Sequence, residues 1–191
     1  KQWTGAASKM EGFERFLAES FHEPTIVFGT FRDELDLAEV ALHKAGYQVW
    51  SIRGGMSDAA RDRVVDDSRA AAAEGKPIAI VVQIVTGNAG LNLQHCWRIV
   101  FLSSHWNPCV VDQAIARAYR MGQIHAVEVH HFLLADDAEK NLDRLMAKMH
   151  GSKRSLAKAI NDKLYADSAV HTDTIMTHLD AVAAAFTTSA P

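Results

Sequence analysis

Cysteine is nearly absent: Cys96 and Cys109 are the only two in 191 residues. That is too few for a disulfide framework, fits a reducing compartment and reads both as small buried hydrophobes. Long apolar runs are missing as well. Residues 78–85 and 99–102 are short and read as strands, far from the roughly 20 residues that span a bilayer, so no membrane partner is expected. No basic segment followed by an apolar run of signal-peptide type is present, and the start at Lys1 reads as a cut from a longer protein. There is no excess of positive charge either. A formal net charge of −3 argues against a generally basic nucleic-acid-binding domain, although a local patch needs only a few arginines and backbone amides.

Several compact chemical signatures are also lacking. A phosphate-binding P-loop needs Gly-x-x-x-x-Gly-Lys-Ser/Thr, because backbone amides must cradle the phosphates and a hydroxyl must meet magnesium. The one Gly-Lys pair, Gly75-Lys76, runs into Pro77 and has no glycine at the required upstream distance. No apolar strand ends in an Asp-Glu pair; Val100-Phe101-Leu102 leads into Ser103-Ser104. Gly-x-Ser-x-Gly is absent, which removes an α/β-hydrolase reading. His95, Cys96, His105 and Cys109 lack the spacing of a zinc site, and His130-His131 would point to opposite faces of a strand, so no metal site is expected.

What is present is an alternation. Residues 9–21 carry Met10, Phe13, Phe16, Leu17 and Phe21 at helical spacing. Residues 25–29 read as a buried strand, 35–42 as a helix stopped at Gly46, and 47–52 as the next strand. Ser57 is placed to cap a helix that runs to the alanines at 70–73. A nearly all-apolar strand follows at 77–85, then a loop at 86–90, a strand at 97–102, a loop at 103–108, a helix at 110–121, a strand at 127–134 and a helix at 136–150. Such alternation predicts an α/β fold, a parallel sheet flanked by helices, with the ligand site at the carboxyl ends of the strands. The tail after Gly151 is basic at Lys153, Arg154 and Lys158 and predicts a helical extension. The expected division is 1–23 as a helix or linker from a preceding domain, 24–150 as the α/β domain and 151–191 as the extension.

Arg117 and Arg120, three apart on the expected 110–121 helix, would be neighbours on one face, able to reach one anion with two planar, permanently charged forks. Gly122 would stop the helix. Lacking a P-loop, this pair suits an arginine finger that enters a site built by another domain. The turns Gly54-Gly55 and Gly87-Asn88-Ala89-Gly90 let main-chain amides approach phosphate, with Thr30, Ser57 and Thr86 adding hydroxyls.

Together these residues resemble the second, C-terminal RecA-like motor domain of a superfamily-two helicase, specifically of the Swi/Snf-type double-stranded DNA translocases. The resemblance covers residues 25–149. Residues 25–31 resemble motif four; Arg53-Gly54-Gly55-Met56-Ser57 with Arg61 resembles the Gly-Ser/Gly-x-Ser turn; 86–93 resembles motif five. Trp106-Asn107-Pro108 followed by Gln113-x-x-x-Arg117-x-x-Arg120-x-Gly122-Gln123 is the most specific part. The resemblance implies that Arg117 and Arg120 meet the γ-phosphate of ATP, with Gln113, Gly90 and Asn92 in the same network. ATP and Mg2+ would be held mainly by the N-terminal RecA-like domain of the same polypeptide. Thr30, Arg53, Gly54, Gly55, Ser57, Thr86, Gly87, Trp106 and Asn107 would face double-stranded DNA, in an intracellular, DNA-containing compartment.

The departures are an acidic residue usual where Ser103 stands, another at His105, and Ile84-Val85-Thr86-Gly87-Asn88 where Thr-Arg-Ala-Gly-Gly is common. The Gln83-Ile84 version resembles divergent phage, viral and bacterial members. Two alternatives stay open: half of a strand-separating DNA or RNA helicase, and a non-catalytic module that binds nucleic acid or a partner.

Overall fold

A computed structural model describes residues 4–19, 22–88, 90–103 and 105–133, with Lys153 and Ser155. The chain divides into two compact units, Lys1–Arg144 and Leu145–Pro191, and the sheet belongs to the first. The expected helix at 136–150 and the helical extension lie outside the described residues.

Five strands form one sheet: β1 (Thr25–Gly29), β2 (Gln48–Ile52), β3 (Ile78–Gln83), β4 (Arg98–Phe101) and β5 (Glu128–His131). Their spatial order is β2-β3-β1-β4-β5, and every pairing is parallel. Thr25 of β1 lies opposite Ala79 of β3 and Arg98 of β4. All carboxyl ends therefore reach the same edge of the sheet, as anticipated.

Period-two alternation sends neighbours along a strand to opposite faces. Ile26, Phe28, Ile80, Val82, Ile99 and Phe101 enter one buried cluster with Val65, Val111 and Ala114. Those three belong to α3 (Asp58–Ala73) and α4 (Pro108–Ile115). Val27, Ala79, Val81 and Val100 enter the other cluster, with Phe13 and Leu17 of α1 (Thr4–Glu19) and Leu35, Ala38 and Leu42 of α2 (Arg32–Lys44). Both faces are thus covered, which is why β1 and β3 are apolar almost throughout. Full burial of a side chain such as Phe28, stacked on Phe101 at 5.1 Å, is worth about 1.5–3 kcal/mol.

Local signals fix the helix ends. Asp33 and Glu34 lie in the first turn of α2 and His43 and Lys44 in its last, complementing the helix dipole. Ser57 caps α3 as expected, its hydroxyl accepting from Ala60 N–H at 3.3 Å. Asn107 caps α4, accepting from Cys109 N–H at 3.0 Å, with Pro108 at the first helical position.

Two expected elements are corrected. The strand at 77–85 ends at Gln83, and residues 84–88 form a 3-10 turn (Ile84–Asn88) instead of an open loop. The helix at 110–121 stops at Ile115, so Arg117 and Arg120 do not share an α-helical face. The cause is competition for carbonyls. Leu93 N–H takes the Arg117 carbonyl at 3.1 Å, the Gln123 side chain donates to that of Ala118 at 3.2 Å, and Gln94 Nε2 donates to that of Met121 at 2.7 Å. Of these, the Arg117 carbonyl is the one a helix reaching Met121 would use internally; with it engaged by Leu93, and with Arg117 N–H and Ala118 N–H bonding the carbonyls three residues back, the chain tightens into successive turns.

Candidate functional site

The tight turns after α4 still bring the two arginines together. Arg117 and Arg120 line one groove of about 610 Å³ with Gln113, Gly90, Leu91, Val110 and Ala116. The floor comes from the segment after the 3-10 turn, where Leu91 and Leu93 are buried. That segment pins the arginine turn through Leu93 N–H and Gln94, and Gln123 Nε2 returns a bond to the Gln94 carbonyl at 2.9 Å. Gly122, at φ +94°, supplies the left-handed residue that turns the chain away. Asn92 lies on the other side of Gly90-Leu91, in a groove of about 420 Å³ shared with Arg61 and Arg69. Its carboxamide oxygen accepts from Gln94 N–H at 3.3 Å.

The electrostatics single out the arginine pair. Among the described residues Arg117 makes one side-chain hydrogen bond, Nε to the Gln113 carbonyl at 3.4 Å, and its Nη1 is buried with no partner. Burial pushes its guanidinium pKa down. Arg120 is exposed, and among the described residues no carboxylate pairs with it. Among the described residues the groove lining contains no acidic side chain. Such a donor set suits an anion with several oxygens and gives a magnesium ion no carboxylate.

At the carboxyl edge of the sheet the remaining expected residues gather on loops that follow neighbouring strands. After β2 the turn contains Gly54 and Gly55, the latter at φ +90° with open space around it. After β3 comes Thr86; after β1, Thr30; after β4, Trp106, which is 56% exposed. Gly87 lies in the 3-10 turn. Gln83, noted in the sequence only as part of the divergent Gln83-Ile84 version, joins three of these loops. Gln83 accepts from Gly54 N–H at 3.1 Å and from Thr86 Oγ1 at 3.4 Å, and its Nε2 donates to the Thr30 carbonyl at 3.4 Å. The available signal was a single polar residue in the apolar run 78–85.

Several expected contact residues also carry structural work. The Arg53 guanidinium pairs with Asp36 and, at 2.6 Å, with Glu39, and its Nε donates to Ser51 at 2.9 Å. Burial alone would lower its pKa, but the bonds to Glu39 and Asp36 outweigh burial and raise it. Arg61 is held by Asp58 at 3.0 Å and the Met56 carbonyl at 2.8 Å. Ser57 and Asn107 are the caps described above. Ser103, where an acidic residue is usual, donates to Glu34 at 2.7 Å while accepting from Thr30 N–H at 2.8 Å, so a carboxylate reaches this spot from α2 instead.

Of the two cysteines expected to be buried, Cys109 is exposed, because it lies on the outer side of the first turn of α4. Cys96 is fully buried, which pushes its thiol far up. His95 Nε2 bonds Ser68 Oγ at 2.9 Å. Among the described residues no group of three or more His, Cys, Asp or Glu side chains could hold a metal ion, and no helix is long and apolar enough to cross a membrane.

A five-stranded parallel sheet with helices on both faces and loops gathered at its carboxyl edge defines a RecA-like α/β fold. The solved structure described as the C-terminal part of the Fun30 ATPase domain superposes with a TM-score of 0.64 at 20% identity, over 74% of this chain and 44% of that one. Residues 8–122 match the helicase conserved C-terminal domain, and the chain belongs to that family, in its Swi/Snf-type branch. It is 27% identical to the DNA repair protein RAD5B of Arabidopsis thaliana, over 85% of this chain and 12% of the relative. It is 32% identical to the helicase-like transcription factor CHR27 of the same plant, over 73% and 13%. With the human helicase-like transcription factor it shares 29% identity over 70% and 13%. The chain thus spans about an eighth of the length of these relatives.

Proposed function

We propose that this chain is the second motor half of an ATP-dependent double-stranded DNA translocase. Arg117 and Arg120 enter a nucleotide site built by a P-loop domain elsewhere in the same polypeptide and neutralise charge developing on the transferring γ-phosphate. Gln113 and Gly90 complete the wall that receives the nucleotide, while Asn92, in the neighbouring groove, contributes through its bond to Gln94 N–H, which holds the supporting segment. Magnesium belongs mainly to the other domain, since among the described residues this groove has no acidic lining residue. The loops bearing Thr30, Gly54, Gly55, Ser57, Thr86 and Gly87 form the face turned to the DNA backbone, with Trp106 and Asn107 beside them; Gly54 N–H, Thr86 Oγ1 and Thr30 N–H shape that face through Gln83 and Ser103, which take their hydrogen bonds. Arg53 contributes by fixing its turn to α2, because its fork is already taken by Asp36 and Glu39. Closure of the two halves around ATP and reopening after hydrolysis move the duplex in steps.

The observation that carries this reading is the pair of arginines without a carboxylate partner among the described residues, lining one groove in a chain that has no P-loop. The test is Arg120→Ala in the polypeptide carrying both motor halves. DNA-stimulated ATP hydrolysis falls about 1,000-fold, while binding of a fluorescent ATP analogue stays within about threefold, since ground-state contacts lie mainly on the P-loop side. Wild-type turnover in this variant would remove the finger assignment.

A further inference from the structure

We propose that Gln83 is a positioning residue that locks the three loops after β1, β2 and β3 into one register, so that they present a single surface to a phosphodiester backbone. The inference rests on the reading of that face given above. β2, β3 and β1 are neighbours in the sheet, and Gln83 is the last residue of the middle one. Its carboxamide reaches the loop on either side and the turn that follows it. Oε1 accepts from Gly54 N–H and Thr86 Oγ1, and Nε2 donates to the Thr30 carbonyl.

The chemistry favours a carboxamide at this point. One neutral group supplies an acceptor that can serve two donors and a donor for a carbonyl. A carboxylate would lose the donor and place negative charge behind a surface meant for phosphate; an aliphatic side chain would supply neither bond. Gly54 belongs to the same device, because a Cβ there would stand 3.3 Å from Gln83 Oε1 and press on the hydrogen-bonded approach. Gln83 also precedes the 3-10 turn that leads to Leu93 and Gln94, which hold the arginine turn. A loop set misplaced at one end of this segment would therefore shift the support of the groove at the other.

The test uses Gln83→Met, which preserves length and bulk but removes the hydrogen bonds, with Thr86→Ala as a reference for the face itself. Duplex DNA binding by this 191-residue chain is measured by fluorescence anisotropy at two salt concentrations, and amide hydrogen exchange is followed in parallel. The expected result is a Kd about tenfold weaker for Gln83→Met, the net worth of one to two hydrogen bonds. Exchange should accelerate at Gly54 and in the turn after β3, with the β3 amides as protected as in wild type. Weakened binding for Thr86→Ala with an unchanged Kd for Gln83→Met would overturn the positioning role and leave the DNA face standing. Duplex binding unmoved by either substitution would overturn the DNA face itself and the inference with it. Loss of protection along β3 would assign the effect to core damage and also overturn the proposal.

Discussion

Arg98 and Arg117 are both withdrawn from solvent, and the protein treats them in opposite ways. Arg98, 7% exposed, is gripped by Glu23 at 2.7 Å and Glu128 at 3.3 Å, with its guanidinium 5.6 Å from the centre of the Phe16 ring. Each has a buried Nη1 with no partner, but Arg117 has one weak bond to a carbonyl and, among the described residues, no carboxylate beside it. Desolvating a charge is costly unless it is paired. The first arginine therefore belongs to the architecture, tying β4 to its flanks. The second is held in a state that a stable isolated fold has no reason to keep, which is the expected mark of a group that completes its bonds with a ligand.

The largest effect that separates the two comes from removing Arg117. Arg117→Met in the complete motor lowers DNA-stimulated turnover about 1,000-fold. In this chain alone the same substitution leaves the thermal midpoint unchanged or raises it, because an unpaired, partly buried charge is replaced by an apolar side chain of similar length. A clear fall in thermal midpoint would mean that Arg117 is structurally paired and would collapse the distinction. Arg98→Met gives the opposite sign. It leaves Glu23 and Glu128 facing an apolar group and lowers unfolding free energy by about 3 kcal/mol in chemical denaturation. An unchanged denaturation midpoint would show that the two glutamates are solvated well enough to need no cation.

The same contrast explains what could be read from the chain and what could not. β1 was legible to the residue at Thr25–Gly29, and the Ser57 cap of α3 was legible from one hydroxyl ahead of a helical pattern, because local sequence determines both. The end of α4 was not legible. Nothing within residues 110–121 announces that the carbonyls of Arg117, Ala118 and Met121 will be taken by Leu93, Gln94 and Gln123. The Leu93 and Gln94 bonds are tertiary and the Gln123 bond comes back from beyond the helix, and periodicity carries no information about any of them. The same limit applies to Arg53. Its place beside Gly54-Gly55 suggests a phosphate ligand, but Asp36 and Glu39, a full element earlier in the chain, claim its fork. Arginine position was legible; arginine partnership was not.

The smallest expected effect probes the far wall of the groove segment. Burial, and secondarily the charge of Arg69, lowers the His95 pKa to about 4, against about 6.5 in an unfolded chain. A folded pKa below the unfolded one means that the unfolded state takes up the proton first as pH falls. The stability His95 contributes is therefore fully present above about pH 6.5 and is lost progressively down to about pH 4, with a slope of at most about 1.4 kcal/mol per pH unit. Chemical denaturation of wild type and His95→Gln between pH 7 and 4.5 isolates this slope, since the carboxylates common to both cancel in the difference. The two stability curves should converge as the pH is lowered. Parallel curves would mean that His95 accepts a proton in the folded state as readily as in the unfolded one. In that case the wall carrying Leu93 and Gln94 is open to water, and the support of the arginine turn must come from the Gln123 side alone.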